Sequence, residues 1–502
     1  MIIIYNKNYE VWFITGTEEL YGEKVLKKVE NNSKEIVEYF NNIENIPVNI
    51  VWKPILKESY QIKKIINDAN SKDNCIGLIG WMHTFSPAQM WIAGLNVINK
   101  PFLHFHTQFD EKIPWDTIDM EYMNTNQSAH GGREFGFIAT RMGIRRKVVA
   151  GFWKDEKVVT RIENWVRAVL GWKEFQNLKV ARLGDNMRHV AVTEGNKVDA
   201  HIDLGYEVHG YALGDYMEFV RKVEESEIEN QIKKYKDEYA LTKSTVSEEQ
   251  FRKSLHEAAK IEIALRRFLE SVEAKAFTTT FENLYGLHQL PGLAVQRLMK
   301  DGYGFGAEGD WKTAALVRAM KIMSKGKNKG TSFIEDYIYH FEPGNVKELG
   351  SHMLEVCESI ADGTPSLEVH PLSIGKKEAP ARSVFNAKEG EAVQATIVEF
   401  GERFRMIVNE INVVKQKEDM PKLPVARALW VPKPDLTTAA SAWILAGGAH
   451  HSSMSYSVNT EQLEDLCEIL GIEFIVIDEN TSIRELKKEL RNNEIYYKLK
   501  KL

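Results

Sequence analysis

The sequence contains only three cysteines, at Cys75, Cys357 and Cys467. They are odd in number and far apart, which excludes a disulfide framework and a Cys-rich zinc module. A reducing cytoplasm is therefore the predicted location. The chain also lacks any run near the ~20 apolar residues that cross a bilayer. Residues 1–7 show no basic segment followed by a long apolar stretch, so we expect neither a secretory signal nor a membrane anchor.

The sequence has no large excess of charge of either sign. Lys and Arg total 65 against 71 Asp and Glu, which gives a formal net charge of −6. General nucleic-acid binders and polybasic membrane anchors are usually basic, so neither nucleic acid nor a membrane is an expected partner. The 502 residues suggest two to four domains, and a composition of 43% hydrophobic and 27% charged residues is typical of a globular enzyme.

Several motifs of common enzyme classes are missing. There is no H-E-x-x-H, C-x-x-C or G-x-S-x-G, so zinc and serine hydrolases have no local signature. Gly304, Gly306 and Gly309 formally match G-x-G-x-x-G, which indicates dinucleotide binding only where it follows a strand and opens a helix. Because residues 291–300 instead resemble a helix, a nicotinamide dehydrogenase is the less favoured interpretation. The glycines more simply let the backbone bend around Glu308.

Short apolar runs and helical spacings alternate in the first third of the chain, which predicts a parallel sheet with helices on both faces. The predicted strands are Glu10–Thr15, Val48–Trp52, Cys75–Trp81 and Pro101–His104, and the predicted helices are Leu20–Phe40 and Ser59–Ala69.

A second α/β unit begins near Lys179. Its predicted strands are Lys179–Leu183 and His189–Thr193, followed by a charged helical region from Tyr216 to about Tyr239. Ser247, with Gln250 three residues later, predicts a capping box at the start of a long helix.

The pattern changes from about Thr331, where strand-like runs become shorter and turns more frequent. Val393–Phe400 and Arg427–Val431 favour an antiparallel or barrel-like unit. The predicted fold class is therefore α/β with three domains. Two doubly wound, Rossmann-like parallel-sheet units, 1–177 and 178–327, precede a β-rich, barrel-like C-terminal domain, 328–502.

Isolated acids and histidines in the second half of the chain are the candidate site. Glu308 lies inside the glycine-rich stretch, Glu335 follows an apolar run, and His352 and the pair His450-His451 stand beside small residues. Two carboxylates would cancel the charge of one divalent cation, and together with two imidazoles they suit Mn²⁺, Co²⁺ or Mg²⁺ better than a thiolate-binding metal. Four ligands leave two octahedral positions, which two neighbouring oxygens of an open-chain sugar could occupy.

Long sequence motifs throughout the chain resemble the L-arabinose isomerase family, whose members interconvert L-arabinose and L-ribulose. The matching segments are Glu10–Gly16, Leu20–Gly22, Phe105–Phe109, Ile113–Asp119, Ala129–Gly136, Gly302–Trp311, Gly350–Val356 and Leu445–His451. Motifs of this length, in this order, are more specific than any single spacing.

The resemblance implies a set of site residues. The implied metal ligands are Glu308, Glu335, His352 and His451, with Mn²⁺ as the metal and Co²⁺ or Mg²⁺ as substitutes. The implied substrate contacts are Glu18, Leu20, His130, Met187, Phe281, Ile374 and His450. Glu18 stands where the family commonly has Gln, and a carboxylate keeps the acceptors but loses the amide donor, which bears on sugar preference. The family is typically a homohexamer, a dimer of trimers, in which the residue matching His130 reaches a neighbouring subunit's site.

The implied reaction is an aldose–ketose isomerisation through an enediol(ate), with Glu308 and Glu335 as the acid/base pair. Slow conversion of D-galactose to D-tagatose is a further expectation, because D-galactose shares the stereochemistry of L-arabinose near C1 and C2. Two alternatives stay open: a related L-fucose-type isomerase, and a sugar-binding protein without catalysis. The catalytic pocket is expected between the second and third domains.

Overall fold

The computed structural model describes residues 8–241, 245–327, 329–372 and 374–500. The segment 1–7, on which the expectation of no secretory signal partly rests, and residue 328, where the third predicted domain starts, lie outside the described residues. The chain forms two compact units, Met1–Lys173 with Glu464–Gly471, and Glu174–Leu463 with Ile472–Leu502. The three domain boundaries given above stay a prediction.

The first unit contains a five-stranded parallel sheet. Its strands are β1 (Glu10–Gly16), β2 (Asn49–Trp52), β3 (Cys75–Met82), β4 (Phe102–His106) and β5 (Lys147–Ala150). The order β2-β1-β3-β4-β5 is a doubly wound order with helical crossovers on both faces. Every residue of β3 is buried, which explains its continuous apolar sequence.

The helices of this part agree with the spacing of apolar residues in the sequence. They are α1 (Gly22–Asn41), α2 (Ser59–Ser71), α3 (Ile92–Leu95), α4 (Met120–Thr125), α5 (Ser128–Arg141) and α6 (Glu156–Phe175), with 3-10 turns at Glu19–Tyr21 and Ala88–Trp91. The predicted strands and the helix at Ser59 are confirmed to within two residues.

The second unit begins with a smaller parallel sheet. The next strands along the chain are β6 (Lys179–Leu183), β7 (Glu207–Tyr211), β8 (Ala240–Leu241), β9 (Ala276–Thr278) and β10 (Gly304–Gly306). Four of them form a parallel sheet in the order β10-β9-β6-β7. The helices are α7 (Lys197–Asp203), α8 (Leu213–Arg221), α9 (Glu225–Glu238), α10 (Glu248–Ser271), α11 (Gly292–Lys300) and α12 (Trp311–Met323).

Two local predictions in this part of the chain have different outcomes. The Ser247 side chain accepts from the backbone N–H of Gln250, so the N-cap half of the predicted capping box is confirmed. The described structure records no return bond to the Gln250 side chain, whose amide donates to Ser254 Oγ instead. The strand predicted over His189–Thr193 is wrong, because His189 has φ +68° and Ala191–Thr193 is a 3-10 turn. The Thr193 carbonyl accepts from the Asn186 side chain instead of a neighbouring strand.

The C-terminal strands close into a six-stranded antiparallel barrel. The remaining strands are β11 (Thr331–His340), β12 (Lys347–Ser351), β13 (Ser366–Val369), β14 (Ala381–Val384), β15 (Gly390–Glu399), β16 (Phe404–Val413), β17 (Arg427–Pro432), β18 (His451–Ser455) and β19 (Glu473–Ile477). The barrel runs β15-β18-β11-β12-β17-β16 and closes through β15–β16 pairing, while β19 adds in parallel to β16. The predicted α/β class with a barrel-like C-terminal part is therefore confirmed.

A small three-stranded sheet and three further helices complete the described elements. Strands β14, β13 and β8 form the small sheet. The last helices are α13 (Leu436–Ala446), α14 (Thr460–Leu470) and α15 (Ile483–Lys500). No helix in the described part of the chain combines the length and apolarity that crossing a membrane requires. Cys75, Cys357 and Cys467 are buried, and none of them belongs to a disulfide in the described structure.

One apolar core joins the parallel sheet of the second unit to the barrel. Phe305 on β10 packs edge to face against Phe333 on β11, with ring centroids 5.5 Å apart. Both rings are fully buried. Because Glu308 follows Phe305 by three residues and Glu335 follows Phe333 by two, this packing brings the two carboxylates to the same region.

Candidate active site

Strand register brings three of the predicted ligands together in the barrel. Strand β11 lies between β18 and β12, and its Glu335 is paired with His451 on one side and Ser351 on the other. His352 directly follows Ser351 at the end of β12. Residues that are remote in sequence therefore become neighbours through ordinary antiparallel pairing.

Glu308 reaches the same site from the loop that joins β10 to α12. Its backbone has φ +59°, which is uncommon for a residue with a side chain, and Gly309 follows with φ +88°. A Cβ at Gly309 would lie 2.5 Å from the Asn186 Cα, so only glycine fits there. The Met187 N–H donates to the Glu308 carbonyl at 2.9 Å and holds the loop from the other side.

The first two glycines of the formal G-x-G-x-x-G pattern serve helix packing. Gly304 and Gly306 lie within β10, and a Cβ at either would come within 2.2 Å of a backbone oxygen of the segment around α12. Their small size lets α12 approach the strand closely.

The four predicted ligands and His450 enclose a common space. His451 Nε2 lies 3.7 Å from Glu308 Oε2, and His352 Nε2 lies 3.6 Å from Glu335 Oε2. His450 Nε2 lies 3.8 Å from Glu308 Oε2 and 4.0 Å from Glu335 Oε1. One ligand atom each of Glu308, His352 and His451 lies within 4.8 Å of the others, and the same holds for Glu335, His450 and His451.

Two further carboxylates orient the imidazole rings. Asp310 Oδ2 lies 3.2 Å from His451 Nδ1, and Glu355 Oε2 lies 2.5 Å from His352 Nδ1. A carboxylate on Nδ1 favours the tautomer whose Nε2 carries a lone pair. His451 Nε2 is buried and has no hydrogen-bond partner in the described structure. This buried, unpaired nitrogen and two nearby carboxylates match the donor set of a divalent cation site.

The charged groups of the site shift the pKa values of Glu308, His352 and His450. Burial by itself would raise the pKa of Glu308, but the three histidines around it lower this pKa. Burial would lower the pKa of His352, but the carboxylates of Glu355, Glu335 and Glu308 raise it. Contact with Glu308 raises the pKa of His450 against the effect of burial. Glu308 is therefore ionised at neutral pH.

Aromatic rings cover the histidines. The Phe333 ring packs edge-on to His352 and His451, with centroids 5.0 and 5.2 Å away. Phe281 stacks on His352 at 6.0 Å with an interplanar angle of 22°. Phe281, predicted as a sugar contact, therefore lies beside a predicted ligand.

The other predicted sugar contacts are distributed over both units. Ile374 belongs to the second unit and is partly exposed, at 38%. Glu18, Leu20 and His130 belong to the first unit. Within that unit Leu20 is 82% exposed, and the His130 ring stacks on Phe85 at 4.6 Å.

Sequence reasoning did not single out Asp310, Glu355 or Tyr337. Asp310 carried a local signal, since an Asp before a helix is a common N-cap, and it accepts from the Thr313 N–H at 3.1 Å. Glu355 stands three residues after His352, which could have suggested their pairing. Tyr337 carried no local signal. Burial and the neighbouring Glu335 carboxylate raise the pKa of its phenol.

Family models match the chain from its N-terminal region to the barrel. The model of the L-arabinose isomerase N-terminal domain matches residues 5–177, that of the central domain 179–326, and that of the C-terminal domain 330–473. Together these matches cover most of the chain.

Relatives named L-arabinose isomerase are similar over nearly the whole length. The protein of Geobacillus kaustophilus is 54% identical over 490 residues, which is 98% of each chain. That of Anoxybacillus flavithermus is 55% identical over 489 residues, 97% of each chain. That of Bacillus subtilis is 52% identical over 499 residues, 99% of this chain and 100% of the relative.

Proposed function

Because this chain belongs to the L-arabinose isomerase family, we propose that it is an isomerase that converts L-arabinose to L-ribulose at the cluster around Glu308. The observation that carries this proposal is the approach of two glutamates and two oriented histidines, Glu308, Glu335, His352 and His451, to one space. A sugar-binding protein has no need for a pair of carboxylates able to move protons.

The residues of the cluster fit a divalent cation, for which Mn²⁺ is the proposed metal, with Co²⁺ or Mg²⁺ as substitutes. Glu308, Glu335, His352 and His451 would hold it, and the unpaired, buried Nε2 of His451 supports this set. His451 is completely buried, whereas the His450 side chain is 37% exposed, which favours His450 as a wall of the sugar site. When bound, such a cation would polarise the O1 and O2 oxygens of the open-chain sugar.

The two glutamates supply the proton transfers of the reaction. One carboxylate takes the proton from C2 of the aldose, and O1 gains a proton, which gives an enediol. The second carboxylate accepts the proton of O2 and supplies the one that O1 gains. The first then returns its proton to C1, which leaves a carbonyl at C2. Glu308 and Glu335 are the only residues proposed for these two roles.

Neighbouring side chains keep this chemistry away from bulk water. Phe333 and Phe281 cover the His352 ring, and their apolar surfaces strengthen the electrostatic interactions inside the site. Met187 is held against the Glu308 loop by its backbone, which supports its proposed position as a wall of the sugar site.

We further propose that the working enzyme is a homohexamer, a dimer of trimers, in which His130 reaches a neighbouring subunit's site. The exposure of His130 and of Leu20 in the first unit supports this, since both are available to another chain. Glu18 and Ile374 complete the proposed sugar contacts. Cytoplasmic location stays a prediction that depends on the small, odd number of widely spaced cysteines.

The proposed function predicts a metal requirement that an assay can test. L-Ribulose formation from L-arabinose is measured after EDTA treatment and after adding back Mn²⁺, Co²⁺ or Mg²⁺. Loss of activity with EDTA and its recovery with Mn²⁺ is the expected result. Absence of ketose under all conditions, with sugar binding retained, would favour the non-catalytic alternative.

A panel of aldoses tests the substrate assignment. L-Arabinose is expected to be the best substrate, with slow formation of D-tagatose from D-galactose. A preference for L-fucose would identify the related six-carbon isomerase instead.

A further inference from the structure

A cleft of about 310 Å³ lies in the first unit. It is bordered by the residues that lead into β4 and β5, by α6 and by the 464–471 segment. The basic residues and tryptophans of its lining are Lys100, Arg145, Arg146, Lys147, Trp165 and Trp172. None of them belongs to the candidate active site. Its size is near the lower end of small-molecule sites, which range from ~300 to 1,000 Å³.

The cleft has an excess of positive charge. Lys147 is paired with Asp465, whose Oδ2 lies 2.5 Å from its Nζ. Across the described residues, no carboxylate lies within ion-pair distance of Lys100 or Arg145. The other acidic lining residue, Glu468, is exposed. The four basic and two acidic side chains of the lining leave two net positive charges.

Arg146 contributes a charge that only neutral groups contact. Its guanidinium donates to the carbonyls of Ile144 and Gly136, both at 3.1 Å, and to Thr140 Oγ1 at 2.8 Å. Its Nε is buried and has no acceptor among the residues that the structure describes. Burial also lowers the pKa of this guanidinium, in agreement with the absence of a carboxylate beside it. A partly buried cation without an anionic partner is unfavourable, and an anion in the cleft would relieve it.

The walls of the cleft are aromatic and apolar. Trp165 is 1% exposed, and its indole N–H has no acceptor among the described residues. Trp172 is half-buried, and Pro101 and Phe102 are also part of the lining. Indole rings present flat apolar faces that pack well against the C–H face of a sugar ring.

We propose that this cleft binds a phosphorylated, sugar-sized metabolite. Its phosphate is held by Lys100, Arg145 and Arg146, and its body packs against Trp172, with the buried Trp165 behind the cleft wall. The net charge of the lining matches a phosphomonoester, which carries about −1.5 to −2 charges near neutral pH. Guanidinium groups bind phosphate oxygens through paired hydrogen bonds, which makes phosphate a better match than a halide or a monocarboxylate. A dinucleotide is too large for the cleft.

The experiment is calorimetric titration of the full-length protein with ribose 5-phosphate as probe, beside ribose and inorganic phosphate. Ribose 5-phosphate is expected to bind, ribose not to bind, and inorganic phosphate to bind at least about tenfold more weakly. The double variant Lys100→Gln/Arg145→Gln should weaken binding by at least about tenfold, because it removes two charge-assisted contacts. Arg141→Gln is the matched control, since it removes an exposed positive charge of the same unit outside the lining.

Two measurements distinguish ligand binding in the cleft from catalysis in the active site. Glu308→Gln should leave ribose 5-phosphate binding unchanged, and Lys100→Gln/Arg145→Gln should leave L-arabinose turnover unchanged, which also verifies folding. Absence of binding up to about 10 mM, or equal affinity in the wild type and the double variant, would overturn the proposal. Equal affinity for inorganic phosphate and ribose 5-phosphate would show an adventitious ion only and would also overturn it.

Discussion

The carboxylate of Asp310 lies 3.2 Å from Nδ1 of His451, and both side chains are almost completely buried. Asp310 caps α12, and His451 begins β18 of the barrel. A helix cap in one layer of the second unit therefore orients a proposed metal ligand in another. The same carboxylate thus stabilises the helix and fixes the imidazole. Substitutions that keep one of these two roles and remove the other can separate them.

Asp310→Asn is expected to keep the fold and weaken metal binding. The amide retains an acceptor for the helix cap but loses the negative charge that holds the ring and its tautomer. The Mn²⁺ concentration for half-maximal activity should rise by about 10- to 100-fold. Asp310→Ala, the comparison variant, should also lower the thermal unfolding temperature, since it loses the cap as well. An unchanged metal requirement in Asp310→Asn would disprove the orienting role.

Glu308→Gln and Glu335→Gln are each expected to reduce L-ribulose formation by at least about 10³-fold. Glutamine has nearly the shape of glutamate but cannot accept the C2 proton or exchange protons between O1 and O2. Circular dichroism should show unchanged secondary structure. Activity close to that of the wild type in either variant would refute the proposed acid/base pair.

His451→Ala and His450→Ala form a matched pair that tests which histidine is the metal ligand. Mn²⁺ at about 100 times its dissociation constant stabilises the native state by about 2.7 kcal/mol and raises the thermal unfolding temperature. This rise should persist in His450→Ala and disappear in His451→Ala. The opposite result would exchange the roles assigned to the two histidines.

Gly309→Ala is expected to destabilise the protein and reduce its activity. The new Cβ would adopt φ +88° and would also lie 2.5 Å from the Asn186 Cα, so the Glu308 loop would have to move. Gly344 has φ +78° with no atom near the position of a Cβ, which makes Gly344→Ala a control for backbone strain alone. That control should lose about 1 kcal/mol of stability, whereas Gly309→Ala should lose more and lose turnover. Equal effects of the two variants would show that the close contact with Asn186 is unimportant.

Glu348 is expected to make stability fall as the pH rises. Burial raises the pKa of this carboxyl to about 7, above its usual value of ~4.3 in an unfolded chain. Below the unfolded pKa both states are protonated, so the carboxyl has no effect there. Between the two pKa values only the folded state binds the proton, so the free energy of unfolding decreases as pH increases. Above about pH 7 the full penalty of a buried carboxylate is present.

The variant Glu348→Gln, which cannot ionise, tests this effect together with its influence on the buried Asp336 carboxyl, whose pKa is also raised by Glu348. It should match the wild type near pH 4 and exceed its stability by about 3–4 kcal/mol at pH 8. Thermal unfolding of both proteins at several pH values gives the comparison. A difference that is constant across this pH range would contradict the role of Glu348.

Local sequence patterns predicted much of the fold, and their failures have identifiable causes. The apolar run Cys75–Trp81 predicted β3 as a strand of a parallel sheet, and Ser247 predicted a helix start. The run His189–Thr193 had the composition of a strand, but no strand among the described residues pairs with it, and the Thr193 carbonyl accepts from the Asn186 side chain instead. A strand depends on a partner that local sequence does not specify.

The sequence alone determined which donor types are available and, through motifs spread over the whole chain, the family. The tertiary structure decided which donors meet. Glu335 and His451 are more than a hundred residues apart, and only the register of β11 with β18 makes them neighbours. The pairing of Asp310 with His451, and the burial that distinguishes His451 from His450, depend in the same way on packing. Short-range periodicity specifies which face of a strand is buried, but it does not specify the strand's partner. The partner and the register are therefore decided by the packing of the whole core.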